Sequence, residues 1–320
     1  MEQSTEMADA SPGRVPQITS LATLKLASRW LNEFAENNTS QSGEDGLIAK
    51  ALSFLPDLSS WCVEFGAWDG KHLSNTYNLV ATKGFKVVLI EGDATRYKEL
   101  RDNYPHKDRA IFENAFVGSS EEDGLDKILS QHPVPIEFDL LSVDVDGNDY
   151  HIWRALKSYQ PKLVLIEYNI SMVNGVEFVQ PAEAGCHQGS SPASLVKLGI
   201  EKGYELVAVT KQNLLFVRRE YYPLFRIPDN SLEVMRDEEP NYVFFGYDGT
   251  VLLQGSCCPK WHPGWRLSAR SIQLLPGILR RYPPNYTFAQ KQLLRVLFML
   301  KYPGEGLKRM RSYFKRNIKL

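Results

Sequence analysis

A doubly wound α/β sheet, five parallel strands plus an antiparallel hairpin, is the fold this sequence predicts, and three observations predict it. Five short β-type runs, at 61–65, 86–90, 110–117, 138–143 and 162–167, are bounded by turn residues and separated by enough chain for a helix each. Two further runs, 204–210 and 214–218, are joined only by Lys211, Gln212 and Asn213, too few for a crossover helix, so that pair must be antiparallel. The 320 residues are 43% hydrophobic and 23% charged, which is long and apolar enough for a large buried core.

The elements follow in order. Residues 1–17 mix Ser, Glu, Asp, Gly and Pro without periodicity and read as a disordered leader. Helices are expected across 18–56. Leu21, Leu24, Leu26, Ala27, Trp30, Leu31 and Phe34 recur at helical spacing, and a second helical stretch covers 46–54. The strand-rich core spans 57–219. Residues 220–320 form a C-terminal extension with an acidic loop at 237–239 and a hairpin across 242–254 turning on Asp248 and Gly249. A Pro- and Trp-rich stretch runs on to Tyr286, a candidate cap. The last twenty residues hold seven Lys or Arg against Glu305 alone, a basic helical tail.

Composition removes several function classes. A formal net charge of -1 and a pI near 6.6 argue against broad, charge-driven nucleic-acid binding. The longest apolar run, near 293–300, falls far short of the roughly 20 residues of a spanning helix, and no signal-peptide core precedes Pro16. Cys62, Cys186, Cys257 and Cys258 are too sparse for a disulfide framework, so a reducing, cytoplasmic setting is expected. Cys257 and Cys258, near Trp261, His262 and Trp265, are read as packing residues and given no role.

The candidate chemistry gathers at strand ends. Val63-Glu64-Phe65-Gly66-Ala67-Trp68-Asp69-Gly70 closes the first strand, and its glycines permit close backbone approach. It is not a dinucleotide fingerprint, because the third glycine is missing and Glu64 suits a cationic ligand better than a pyrophosphate. The second strand ends at Glu91, about twenty residues on, where a carboxylate can accept both hydroxyls of a ribose. At the third strand, Asn114 and the backbone at Ala115 can meet an adenine edge.

The densest polar cluster, Ser142-Val143-Asp144-Val145-Asp146-Gly147-Asn148-Asp149-Tyr150, follows the fourth strand. Three carboxylates in six residues are costly to gather without a cation. An EF-hand is excluded, since its sixth position would be Asp149 and its twelfth Ala155. Two readings remain. Either Asp144 or Asp146 holds a divalent metal together with Glu167 or Asn169 from the fifth strand end, or the carboxylates face a donor's positive charge and an acceptor hydroxyl. His187, in the Gly-bearing loop after the fifth strand, is a candidate base and reads equally well as a surface residue; His151 and His72 have the same standing.

Taken together, these motifs with Ser40-Gln41-Ser42-Gly43-Glu44-Asp45-Gly46, Leu73-Ser74-Asn75-Thr76 and Ile166-Glu167-Tyr168-Asn169 resemble FkbM-type S-adenosylmethionine-dependent methyltransferases across about 40–219. The resemblance implies a class I methyltransferase (Rossmann-like) fold that moves a methyl group from S-adenosylmethionine to a hydroxyl on a sugar, glycan or natural product. On that resemblance Glu64, Gly66 and Gly70 line the methionine end, Glu91 the ribose, Asn114 and Ala115 the adenine, and Asp144 the floor near the sulfonium. Gln41, Glu44, Ser74 and Asn75 help close the donor site. Trp68 and Asp69 stand where a middle glycine often lies in that class.

The implied chemistry is in-line attack of an acceptor oxygen on the methyl group. Asp146, Glu167 or His187 would take the proton, or a metal such as magnesium on Asp144, Asp146 and Glu167 would lower the hydroxyl's pKa. The competing classes are a nucleotide-binding scaffold without turnover and a dehydrogenase, the latter disfavoured by the missing glycine. The expected partner is a small-molecule or glycan acceptor, not nucleic acid, with the basic tail a candidate for peripheral membrane contact.

Overall fold

The computed structural model describes residues 20–183, 185–262, 264–305 and 308. The leader, and the part of the basic tail from Arg309 onward, lie outside the described residues. The chain divides into two compact units, Met1–Glu238 and Glu239–Leu320. The first unit thus extends past Arg219, the boundary expected from the sequence.

The first unit opens with α1 (Leu21–Ser28), a 3-10 turn at Trp30–Phe34, and α2 (Glu44–Leu52). Ser20 caps α1 by accepting the Thr23 backbone N–H, and the stretch read as one helix breaks at Arg29. The sheet and its helices then alternate: β1 (Trp61–Phe65), α3 (Tyr77–Lys83), β2 (Lys86–Ile90), α4 (Ala94–Asn103), β3 (Ala110–Glu113), α5 (Leu125–Leu129), β4 (Leu140–Val143), α6 (Asp149–Ala155) and β5 (Leu163–Glu167). After α7 (Pro192–Glu201) come β6 (Tyr204–Val209) and β7 (Asn213–Arg218), and α8 (Leu232–Met235) closes the unit.

The seven strands lie in the order β3-β2-β1-β4-β5-β7-β6. β7 runs antiparallel to both β5 and β6, while every other pairing is parallel. The hairpin therefore folds back so that its second strand, not its first, docks on β5. This is the class I methyltransferase sheet. β1, β4 and β5 are buried almost throughout, as strands covered by helices on both faces must be.

Three of the five expected parallel strands are shorter in the structure. β3 ends at Glu113 rather than Val117, because its pairing with β2 stops at Ile90↔Glu113 and the chain then turns away toward the exposed Phe116. β4 and β5 begin at Leu140 and Leu163; before them, Asp139 and Lys162 form a buried ion pair of 3.3 Å beneath the sheet. Asp139 also accepts from the backbone amides of Ser59 (3.1 Å) and Ser60 (2.6 Å), and Lys162 donates to the Pro56 carbonyl at 3.0 Å. That anchor ties the amino ends of β1, β4 and β5 and leaves the carboxyl ends for function.

The second unit contains the hairpin β8 (Tyr242–Phe245) and β9 (Val251–Gln254), then α9 (Ala269–Ile272) and α10 (Phe288–Lys301). Its turn sits on Asp248 and Gly249 as expected, with Gly249 at φ 79 and Asp248 accepting from Thr250 N–H at 2.9 Å. Thr287 and Gln290 close a capping box at the start of α10. Among the described residues, no helix is long and apolar enough to cross a membrane.

Candidate active site

In an open α/β sheet, ligands bind at the carboxyl edge where the chain order reverses. Here β1 leads on one side to β2 and on the other to β4, so the reversal lies between β1 and β4. Gly66, the first residue after β1, has φ 72, and a Cβ there would lie 2.0 Å from the Asp144 carbonyl oxygen. Only glycine lets these two strand ends come so close.

Glu91 stands beside that crevice. Its carboxylate accepts the backbone N–H of Trp68 at 2.9 Å and of Asp93 at 2.8 Å, one on each oxygen. A carboxylate offers about four lone-pair sites, so both oxygens retain capacity for the two hydroxyls of a ribose. Trp68 is held at φ 47 with its backbone amide aimed at Glu91. Asn114 donates from Nδ2 to the Glu91 carbonyl at 2.8 Å, placing the end of β3 next to the end of β2. The sequence reading missed Phe116, 80% exposed, whose ring lies 2.5 Å from where a Cβ on Gly92 would be. An aromatic two residues after Asn114 is the signal that the sequence offers.

Five of the residues expected around a donor, Glu44, Glu64, Gly70, Ser74 and Asn75, make contacts within the fold. Glu64 is buried, and its oxygens take the Ser74 hydroxyl (2.6 Å), the Asn75 amide (2.8 Å) and the Thr76 hydroxyl (2.5 Å). Burial raises its pKa, with the hydrogen bonds opposing. Asn75 in turn donates to the Ser142 hydroxyl at 3.0 Å, linking this turn to β4. Glu44 is wholly buried and accepts from the Gln41 and Ser42 amides, the Thr210 hydroxyl (2.7 Å) and Asn213 Nδ2 (3.1 Å). Gly70 meets Leu100 and Tyr104 where its side chain would be, so its glycine is a packing requirement. Gln41 is exposed, and Ala115 is half-buried at the β3 end.

The carboxyl ends of β4 and β5 bring Asp144, Asp146 and Glu167 together, with one oxygen of each within 4.8 Å of the others. Burial first, and the neighbouring carboxylates second, push Asp144 and Glu167 well above the usual carboxylate range. Asp149 does not join this group. It turns inward to accept the Val145 (3.0 Å) and Gly147 (2.9 Å) amides, and burial raises its pKa to about 6. Its grip on the loop holds Asp146 at φ 55. The donor set of the cluster, three carboxylate oxygens, is of the hard type that suits magnesium, manganese or calcium.

The loop between β5 and α7 folds back over this cluster. His187 Nδ1 lies 3.0 Å from the Asp146 carbonyl oxygen. A carbonyl only accepts, so Nδ1 carries a proton, and in the neutral ring the lone pair is then on Nε2. The side chain that organises the loop is Gln180, buried and unforeseen from the sequence. Its Nε2 donates to Asn148 Oδ1 (2.9 Å) and the Cys186 carbonyl (2.8 Å), and its Oε1 accepts from the Gln188 (3.0 Å) and Gly189 (2.8 Å) amides. Its own carbonyl meets His151 Nε2 at 2.8 Å, which gives that histidine a structural place. Asn169 is likewise occupied, donating to the Gln188 carbonyl at 2.7 Å.

No protein-family model matches the chain, and no curated protein matches it. Solved structures similar to it include the citrinin polyketide synthase CMeT domain, at 13% identity and a TM-score of 0.38 over 62% of this chain and 56% of that one. The mitomycin 7-O-methyltransferase MmcR is 15% identical, with a TM-score of 0.31 over 54% of this chain and 53% of that one. The glycopeptide N-methyltransferase MtfA complexed with S-adenosylhomocysteine is 13% identical, with a TM-score of 0.35 over 58% of this chain and 94% of that one. The chain thus spans just over half the length of the first two.

Proposed function

We propose that the chain is an S-adenosylmethionine-dependent methyltransferase that methylates a hydroxyl on a sugar, glycan or natural product. The observation that carries this reading is the row of acids Glu91, Asp144 and Glu167 at the carboxyl ends of β2, β4 and β5, along the edge where the strand order reverses. S-adenosylmethionine, when bound, supplies an activated methyl group. Glu91 would accept the two ribose hydroxyls with the lone pairs that the Trp68 and Asp93 amides leave. Asn114, Ala115 and the Phe116 ring would border the adenine. Gly66 would let the donor approach the backbone, and the Asp144 carboxyl would face its positive end.

In the alternative to that contact, Asp144, Asp146 and Glu167 would hold a divalent cation such as magnesium, whose charge offsets theirs and favours the ionised form of a nearby hydroxyl. His187 Nε2, with its lone pair fixed by the Nδ1 contact, would take the acceptor's proton. The loop carrying His187 would exclude water from the methyl transfer and orient the acceptor oxygen.

The test is calorimetric binding of S-adenosylmethionine and S-adenosylhomocysteine to the full chain and to Glu91→Ala, each with and without magnesium. Micromolar binding that falls at least tenfold in Glu91→Ala is expected. No binding of either compound in any condition, by a chain whose circular dichroism shows it folded, would overturn the reading in favour of a scaffold.

A further inference from the structure

The near-neutral net charge conceals a division between the two units. Residues 239–320 hold 14 Lys or Arg against 3 Asp or Glu, a formal charge of +11, while residues 1–238 hold 23 against 35, a charge of -12. Charge separated to this degree between units points to an anionic partner for one of them.

The same basic unit exposes many of its apolar side chains, although Val251 and Leu279 are buried. All four residues of β8 are exposed, so the strand has no dry face, and Leu252 on β9 is exposed beside them. Tyr247 at the hairpin turn is 91% exposed, Trp265 75%, Phe288 78% and Leu300 75%. On α10, Leu293, Val296, Leu297 and Leu300 recur at three- and four-residue spacing and form one exposed stripe. Lys291 and Arg295, one turn apart, form a ridge elsewhere on the helix, which contains no acid at all. Apolar patches of this extent on a soluble surface mark an interaction site.

We propose that residues 239–320 form a peripheral module that seats on an anionic lipid bilayer, with α10 lying in the plane of the headgroups. An amphipathic helix with an apolar stripe, basic residues and no acids has the composition that interfacial binding requires. Trp261, Trp265, Tyr247 and Tyr282 are the amphipathic rings that settle at headgroup depth. With 14 residues α10 is about 21 Å long, shorter than the roughly 30 Å hydrocarbon layer, so it lies on the bilayer and does not span it. Arg and Lys with aromatic rings would also suit a single-stranded nucleic acid, but stacking uses flat rings, and an aliphatic stripe of Leu and Val offers it nothing. The proposal is independent of the methyl-transfer reading.

The experiment is co-sedimentation of the full chain with vesicles of phosphatidylcholine alone and of phosphatidylcholine with phosphatidylglycerol, with a polyribonucleotide as a separate probe. Binding to the anionic vesicles only, weakened by salt, is expected. Lys291→Gln with Arg295→Gln should lower the affinity about 30-fold, from the contribution of a basic residue near a charged surface. Leu293→Ser with Leu300→Ser, both exposed and therefore harmless to folding, should lower it more than tenfold. Equal binding to neutral vesicles, binding that survives the leucine replacements, or binding of the polyribonucleotide without vesicle binding would each overturn the proposal.

Discussion

Replacing Glu167 by Gln should make the metal-free protein more stable while removing a member of the cluster on which the proposed chemistry depends. Glu167 shares a site with Asp144 and Asp146, with oxygens within 4.8 Å of one another. At that distance and an effective dielectric near 20, two like charges repel by about 3 kcal/mol. Burial first, and repulsion from Asp144, Asp149 and Asp146 second, raise the Glu167 carboxyl well above its ordinary value of 4.5 and so favour its protonated form. A carboxyl group raised in the folded state gives its full stability below the unfolded value and loses it as pH climbs toward the folded value. Wild type and variant should therefore be about equally stable near pH 5. The wild type should then lose about 1.4 kcal/mol per pH unit relative to the variant, reaching about 3 kcal/mol at pH 7. In thermal unfolding with a chelator, the variant's midpoint at pH 7 should lie roughly 6 to 12 °C higher. Magnesium should raise the wild-type midpoint and leave the variant's almost unchanged. A variant no more stable than wild type at pH 8, or a gap that does not vary with pH, would refute the reasoning.

Three other outcomes follow from the packing. Asp139→Ala leaves Lys162 charged and buried beneath the sheet, and urea titration should show a loss of about 3–5 kcal/mol. Gln180→Leu leaves Asn148, the Cys186 carbonyl and two loop amides without their partner; it should cost about 2–3 kcal/mol and speed hydrogen exchange across 186–189 more than in β4. Burial, then Glu64 and Asp139, push the Cys62 thiol up, so at pH 8 a thiol reagent should modify Cys186, Cys257 and Cys258 in the native chain and reach Cys62 only after denaturation.

The sheet was legible because apolar runs of strand length, with helix-length gaps, leave few alternatives, and the three-residue link at Lys211 to Asn213 compels a reversal. The sequence could not reveal that β7 rather than β6 docks on β5, since both pairings satisfy the same short turn. Site residues divided in the same way. Asp144, Asp146 and Glu167 were found together because strand ends of a parallel sheet converge on one edge, a consequence of topology alone. Glu64 is expected at the donor site as an acid on a strand end, and Glu44 through the family resemblance, but neither signal tells which protein groups each acid meets. Their partners, Thr210 and Asn213 for Glu44 and Ser74 and Thr76 for Glu64, are uncharged side chains with no motif of their own. Gln180 was invisible for the same reason.

That single glutamine also bears on how the protein can diversify. All four hydrogen-bonding positions of its amide are filled, so one side chain joins Cys186, Gln188 and Gly189 to Asn148. Residues 181–183 face solvent and supply none of those side-chain contacts. Substitutions there can change the outer surface of the loop without touching the amide contacts that hold its flanks. Gln180 thus marks the seam between a segment free to vary and one that its hydrogen bonds fix.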